Sequence, residues 1–140
     1  MGTPIVRNGA RGDGDHAVMV LVAANPGPLR ESLHALLRTM PQVQQVLLLD
    51  AGAALPDSIA QQRPALVVLD GDLTDGPLAA CLESIRAAAH GHRCLVLANN
   101  VQQQQEAQGA GADLVVLKGH PAAELVRVVA QLLTGMEETR

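Results

Sequence analysis

The stretch ALVVLDGDL occupies residues 65–73 and is an apolar run that stops at the carboxylate of Asp70. A second apolar run, LVVL at residues 114–117, ends at Lys118, the only lysine among the 140 residues. Runs that are apolar throughout are typical of parallel strands buried on both faces. Functional groups of open α/β sheets lie where such strands end. The sequence therefore predicts an acid and an ammonium group at the same edge of one parallel sheet.

The whole chain alternates five runs of strand length with five segments of helical period. The strand-like runs are Ala17–Ala23, Val43–Leu49, Ala65–Leu69, Arg93–Ala98 and Leu114–Leu117. The helix-like segments are Leu29–Met40, which follows Pro28, then Ala53–Gln62, Pro77–Ala89, Val101–Ala110 and Pro121–Leu133. This alternation predicts βαβ crossovers and a parallel sheet covered by helices on both faces.

The length of the chain is that of one domain with its own core. Residues 1–16 are polar and rich in glycine, which predicts a flexible lead-in. Residues 17–134 form the predicted domain, and residues 135–140 are predicted to be a C-terminal tail. Within the fourth helix, the polar run Gln102–Gln105 is predicted to be the face that water covers.

Composition excludes several classes of function. Hydrophobic residues make up 48% of the chain, yet Phe, Tyr and Trp are absent, so the predicted core is aliphatic. Without aromatic side chains the chain has no stacking platforms for bases. The net charge of −4, with no basic cluster, also argues against a surface that follows phosphates. We therefore expect no direct contact with nucleic acid.

The chain shows no sign of a membrane segment or of export. No apolar stretch approaches the roughly 18 residues that a spanning helix needs, and no signal-peptide pattern is present. Cys81 and Cys94 match no metal spacing and are predicted to be small buried thiols in a reducing compartment. These observations predict a cytoplasmic protein.

Ser32, Ser58 and Ser84 fall within predicted helices, not on nucleophile elbows, so we expect the chain to have no enzymatic activity of its own.

Four motifs follow one another in a characteristic order. RESL at residues 30–33 lies in the first helix, and LVVLD at 66–70 is followed by Asp72, Leu73 and Gly76. Four residues separate GAD at 111–113 from Lys118, and GHPAAEL at 119–125 leads into the last helix. Over about residues 17–134 the chain resembles the receiver domains of two-component response regulators. RESL resembles the subgroup that often carries a helix-turn-helix output domain.

This resemblance implies a flavodoxin-like (βα)5 fold with a five-stranded parallel sheet in the order 2-1-3-4-5. It also implies that Asp70 is at the phosphoacceptor position and that Lys118 is at the phosphoryl-sensing position. In that family Mg²⁺ assists the transfer. By position, its ligands here would be Asp70, Asp72 and Asn25, a weak set because only two of them are carboxylates.

Four positions depart from the family pattern. The acidic pair expected after the first strand falls on Ala24 and Asn25, and the hydroxyl expected after the fourth strand falls on Ala98. The aromatic switch residue falls on Val115, three residues before the lysine. The loop after Asp70 is also about two residues short, judged by the position of Gly76. The resemblance thus implies a receiver, or a pseudo-receiver, with a degenerate site.

The resemblance also implies partners. A histidine kinase or phosphotransfer protein would act on the domain if the switch is active, and two copies would pair through the fourth helix, the fifth strand and the fifth helix. Alternative hypotheses keep the same fold. One is a protein-interaction module that works without phosphorylation, and another is a small-molecule site over Ala24, Asn25, Asp70 and Ala98. A third is a domain cut from a longer regulator.

Overall fold

The computed structural model describes residues 18–50, 54–73, 77–88, 91–119 and 122–138. Strands and helices alternate along the chain. They are β1 (Val18–Ala23), α1 (Pro28–Arg38), β2 (Val43–Leu49), α2 (Leu55–Gln62), β3 (Leu66–Asp70), α3 (Leu78–Ala88), β4 (Arg93–Ala98), α4 (Val101–Gly109), β5 (Leu114–Leu117) and α5 (Ala122–Glu138).

The five strands form one sheet in the order β2-β1-β3-β4-β5, and every neighbouring pair is parallel. The predicted flavodoxin-like architecture and strand order are therefore confirmed. From β1 the chain passes first to β2 on one side and then to β3 on the other, so the direction in which strands are added reverses between β1 and β3. These two strands are adjacent and lie in the interior of the sheet. In such sheets the crevice outside the carboxyl ends of the strands, near this reversal, is where functional groups gather.

The central strands β1, β3 and β4 are largely apolar on both faces because each face of the sheet carries its own helical layer, whereas the edge strand β2 exposes Gln44 and Gln45. Successive side chains of a strand point to opposite faces. In β3, Val67 and Leu69 pack in one layer with α2 and α3, while Leu66 and Val68 pack in the other with α1 and α5. Both layers are aliphatic, as composition predicts, and the side chains of the central strands are almost completely buried.

Element boundaries differ from the predictions in a few places. β3 extends to Asp70, since this residue still pairs with Leu97 of β4. α5 continues to Glu138, five residues past the predicted end and into the segment predicted to be a tail. The added residues include Gly135, and a single glycine inside a helix costs about 1 kcal/mol and does not by itself end it. The predicted lead-in, residues 1–16, lies outside the described residues, as do Ala17, Ala53, Gly76, Ala89 and Pro121.

In the described part of the chain, no helix combines the length and the apolarity needed to cross a bilayer.

Both cysteines carry free thiols. Cys94 is buried and Cys81 partly so. Burial raises the pKa of the Cys94 thiol to about 12, with the charge of Asp113 acting in the same direction. Cys94 is therefore an unreactive core residue at neutral pH.

Two glycines near the end of α4 provide a matched test of backbone conformation. Gly111 has a φ of +96°, and a Cβ added there would lie 2.3 Å from Nη1 of Arg86. Gly109, at the end of the helix, has open space around it. We expect Gly111→Ala to lower the free energy of unfolding by about 1–2 kcal/mol and Gly109→Ala to raise it by about 0.5–1 kcal/mol. Urea denaturation of both variants checks this, and effects of the same sign would contradict it.

Candidate functional site

The acid and the ammonium group predicted from the sequence meet at the carboxyl edge of the sheet. Asp70 is the last residue of β3 and is only 5% exposed. Lys118 directly follows β5, and its backbone N–H donates to the carbonyl of Ala98 on β4 at 2.8 Å. The Lys118 Nζ lies 2.5 Å from Oδ1 of Asp70. β4 lies between the strands that carry the two residues, so the long lysine side chain spans one strand.

Asp72 is the second carboxylate that contacts Lys118. Its Oδ2 lies 2.9 Å from the lysine Nζ, and its backbone N–H donates to Oδ1 of Asp70 at 3.0 Å. Lys118 therefore bridges two carboxylates, one buried and one on the surface. The sequence alone treats Asp72 chiefly as a loop acid that takes a metal position, whereas the structure shows it as a partner of the lysine.

Ionic contacts and hydrogen bonds shift the pKa values of Asp72 and Lys118. The pKa of Asp72 falls below its ordinary 3.8 because its carboxylate accepts hydrogen bonds from Lys118 and Asn99. Partial burial lowers the pKa of Lys118, but hydrogen bonds from its ammonium to Asp70 and Asp72 outweigh this and raise it above 10.5. Both shifts favour the charged forms, so Asp72 and Lys118 are both ionised at neutral pH.

Two residues of the site are missed by sequence reasoning. The side chain of Asn99 donates from Nδ2 to Oδ1 of Asp72. Gln103 accepts a hydrogen bond from the Asn99 N–H on its Oε1 at 2.8 Å, and its Nε2 donates to the carbonyl of Gly71 at 3.4 Å. Gln103 therefore faces the site, which corrects the prediction that the run Gln102–Gln105 is only a solvated face.

A local sequence signal for Gln103 does exist. Asn100 caps α4, and its side-chain oxygen accepts from the Gln103 N–H at 2.8 Å. Asparagine at the cap with glutamine three residues later has the spacing of a capping box, in which the glutamine side chain turns back toward the start of the helix. That spacing predicts the direction of the side chain. It does not predict that the loop after β3 lies within reach.

No protein-family model matches the chain, and no curated protein matches it. Solved structures do. A signal receiver domain from Vibrio parahaemolyticus is 18% identical, with 88% of this chain and 95% of that chain covered at a TM-score of 0.75. One from Mycobacterium tuberculosis is 25% identical, with 86% and 98% covered at 0.73. The response regulator domain of Thermotoga maritima CheB is 18% identical, with 84% and 97% covered at 0.71.

This chain has the receiver-domain fold of response regulators. Within that receiver fold, Asp70 and Lys118 lie at the carboxyl ends of β3 and β5 and are in contact. Their assignment as phosphoacceptor and phosphoryl-sensing positions stays a prediction from the sequence.

Of the four departing positions, Ala24, Asn25 and Ala98 lie at the carboxyl ends of β1 and β4, and Val115 lies within β5. Ala24 and Ala98 are completely buried, and Val115 is 8% exposed, whereas Asn25 is exposed. None of the three buried side chains carries an oxygen that could bind a metal or a phosphoryl group. In the part of the chain that the structure describes, no three His, Cys, Asp or Glu side chains are grouped to hold a metal ion.

The Lys118 bridge makes stability depend on pH in a defined way. A carboxyl whose pKa is lowered on folding contributes stability that is lost as the pH falls, and an ammonium whose pKa is raised contributes stability that is lost as the pH rises. We therefore expect the contribution of the bridge to be constant from about pH 5 to about pH 9.5 and to decline outside that window. Urea unfolding of the protein and of Asp72→Asn measures the contribution as their difference.

That difference should shrink as the pH falls below the ordinary carboxyl pKa of 3.8. Asp57→Asn replaces an exposed carboxylate of α2 and serves as the matched control for the loss of one charge. A difference between the protein and Asp72→Asn that stays unchanged from neutral pH down to about pH 2 would contradict the role assigned to the ionised bridge.

Proposed function

We propose that this chain is a receiver module of two-component signalling in which Asp70 occupies the phosphoacceptor position and Lys118 the phosphoryl-sensing position. The observation that carries the proposal is the 2.5 Å contact between the two side chains at the carboxyl edge of the sheet. The receiver fold of the chain supports it, since receiver domains exchange signals with histidine kinases or phosphotransfer proteins. We assign the chain partners of that class and no enzymatic activity of its own.

The chemistry proposed for Asp70 is nucleophilic. Its carboxylate would attack the phosphorus of a phosphohistidine or of a small phosphodonor, so that a P–O bond forms as the bond to the leaving nitrogen or oxygen breaks. Lys118 supplies a positive charge for the phosphoryl oxygens. Both polar partners described for Asp70, Lys118 and the Asp72 N–H, contact the same oxygen, Oδ1. The other carboxylate oxygen is the one we assign to the attack.

The residues of this rim do not fit a magnesium site. Mg²⁺ needs several hard oxygen ligands in octahedral geometry, yet Ala24 offers no ligand atom, and Asn25 is exposed. Both carboxylates, Asp70 and Asp72, already contact the Lys118 ammonium. We therefore propose that Lys118, and not Mg²⁺, supplies the local positive charge.

A second candidate function is favoured by the same departures. With Ala98 and Val115 in place of a hydroxyl and an aromatic ring, the side chains that would report a phosphoryl group are absent. The domain would then act by protein–protein contact without phosphorylation, with its site held in one state by the Lys118 bridge.

The alternative of a small-molecule site over these residues gains no support. Ala24 and Ala98 are 0% exposed and cannot line an open pocket. Pairing of two copies through α4, β5 and α5 stays a prediction for either function.

Intact mass spectrometry after incubation with acetyl phosphate separates the two functions. We expect the mass to increase by one phosphoryl group, with or without Mg²⁺, and the increase to be absent in Asp70→Asn. Asp57→Asn, which removes an exposed carboxylate of α2, is the matched control and should keep the increase. No increase in a folded protein would reject phosphorylation at Asp70 and leave the interaction module.

A further inference from the structure

The side-chain amide of Gln103 lies in close contact with the loop that follows Asp70. It accepts from the Asn99 N–H and donates to the carbonyl of Gly71, the residue between the two carboxylates. A Cβ added to Gly71 would lie 2.2 Å from Oε1 of Gln103, a distance that no side chain could tolerate without moving the glutamine. Glycine at position 71 thus permits an approach that any other residue would block.

The hydrogen bonds of Gln103 continue without a break to the ion pair. Asn99, whose N–H is held by Gln103, donates from its side chain to Asp72. Asp72 contacts the Lys118 ammonium at 2.9 Å, and Lys118 contacts Asp70 at 2.5 Å. We call the residues Gly71, Asp72, Asn99 and Gln103 the clasp. It joins the ends of β3 and β4 to α4, and Asp72 connects it to Lys118 at the end of β5.

The helix end of the clasp is the first turn of α4. The Gln103 N–H donates to the capping side chain of Asn100, and the Gln104 N–H donates to the Asn100 carbonyl at 3.0 Å. Val101, the first residue of the helix, is 55% exposed. Gln103 therefore belongs to the hydrogen bonds that begin α4, next to an apolar side chain at the surface.

We infer that the clasp couples the ionic state of the Asp70–Lys118 pair to the first turn of α4, with Gln103 and Asn99 as positioning residues. If Lys118 is drawn away from Asp72, the carboxylate of Asp72 loses its cation, and its hydrogen bond to Asn99 readjusts. That readjustment reaches Gln103 through the Asn99 backbone. The clasp thus provides a polar connection in a domain where Ala98 carries no hydroxyl and Val115 carries no ring.

This coupling concerns the ion pair itself and holds whether or not Asp70 accepts a phosphoryl group. Its test is therefore independent of the phosphodonor experiment. Amide hydrogen exchange at Gln103 and Gln104 reports the opening of the first turn of α4. We expect Gln103→Ala to speed this exchange about fivefold, the equivalent of one net hydrogen bond. Gln105→Ala changes an exposed glutamine of the same helix to the same residue and should not speed it.

A double-mutant cycle tests the connection to the ion pair. We expect Asp72→Asn to speed exchange at the same two amides in the parent protein but to add nothing in the Gln103→Ala background. Lys118→Met should act in the same way, with the exchange of α1 amides used to correct for loss of global stability. Gly71→Ala, which displaces Gln103 sterically, should resemble Gln103→Ala.

Two results would overturn the inference. One is that Asp72→Asn and Gln103→Ala act additively on the α4 amides. The other is that Gln103→Ala affects those amides no more than Gln105→Ala does. Because Asp72 is on the surface and Gly71→Ala leaves every ionic partner in place, the test does not depend on a variant that fails to fold.

Discussion

Lys118→Met is expected to lower the free energy of unfolding by about 2–4 kcal/mol at neutral pH. Methionine keeps the unbranched stem of lysine but removes the ammonium, so Asp70, whose side chain is 7% exposed, is left as a buried carboxylate without its cation. The cost should fall below that of a fully buried pair because the Lys118 side chain is 23% exposed. Urea denaturation at pH 7 measures the loss.

The double variant Asp70→Asn with Lys118→Met identifies the source of that loss. Asparagine has no charge to desolvate and keeps an oxygen for the Asp72 N–H, so the double variant should regain most of the stability. Arg127→Met is the surface control, since the Arg127–Glu124 pair at 3.0 Å is largely exposed and should contribute little. A decrease in the free energy of unfolding in Lys118→Met that does not exceed the decrease in Arg127→Met would contradict the conclusion that the buried Asp70 carboxylate requires the Lys118 ammonium.

Leu95→Ala is expected to cost about 3–4 kcal/mol. Leu95 lies in β4 between β3 and β5, is 0% exposed and packs in the layer that α1 and α5 cover. Truncation there removes buried methyl groups and leaves a cavity, since neighbours on two paired strands cannot move in to fill it. Urea denaturation gives the cost, and the slope of the transition should stay unchanged if the native fold is kept.

Leu48→Ala is the matched control for Leu95→Ala. Leu48 is also a strand leucine, but it lies in the edge strand β2 and is 38% exposed. Less surface is removed from water there and the remaining space is open to solvent, so we expect a cost below about 1 kcal/mol. Similar costs for the two leucines would show that the sheet does not bury its central strands as described.

Much of the fold can be read from the pattern of apolar runs. The bounds predicted for the second, fourth and fifth strands match those of β2, β4 and β5. Runs without polar alternation bury both faces, and alternation with helices forces parallel pairing. The placement of Asp70 and Lys118 at one edge follows from the same logic, because each residue lies at the end of a strand and all parallel strands end at that edge. Their contact also requires that only β4 separates β3 from β5. The largest difference is in the length of α5, which continues past the predicted end because a single glycine does not stop a helix that good helix formers continue.

The role of Gln103 could not be read in this way, because α4 is polar on nearly every side and buries only Ala107 in the core. Periodicity therefore does not distinguish Gln103 from Gln102 or Gln105. Which glutamine faces the site depends on the loop after β3 and the start of α4 lying beside each other, 32 residues apart in the chain. Local patterns predict the strands, their end points and their parallel pairing, and the strand order comes from the family resemblance. Contacts between polar side chains of distant loops depend on distances that packing sets, so only the tertiary structure brings Asp72, Asn99 and Gln103 together.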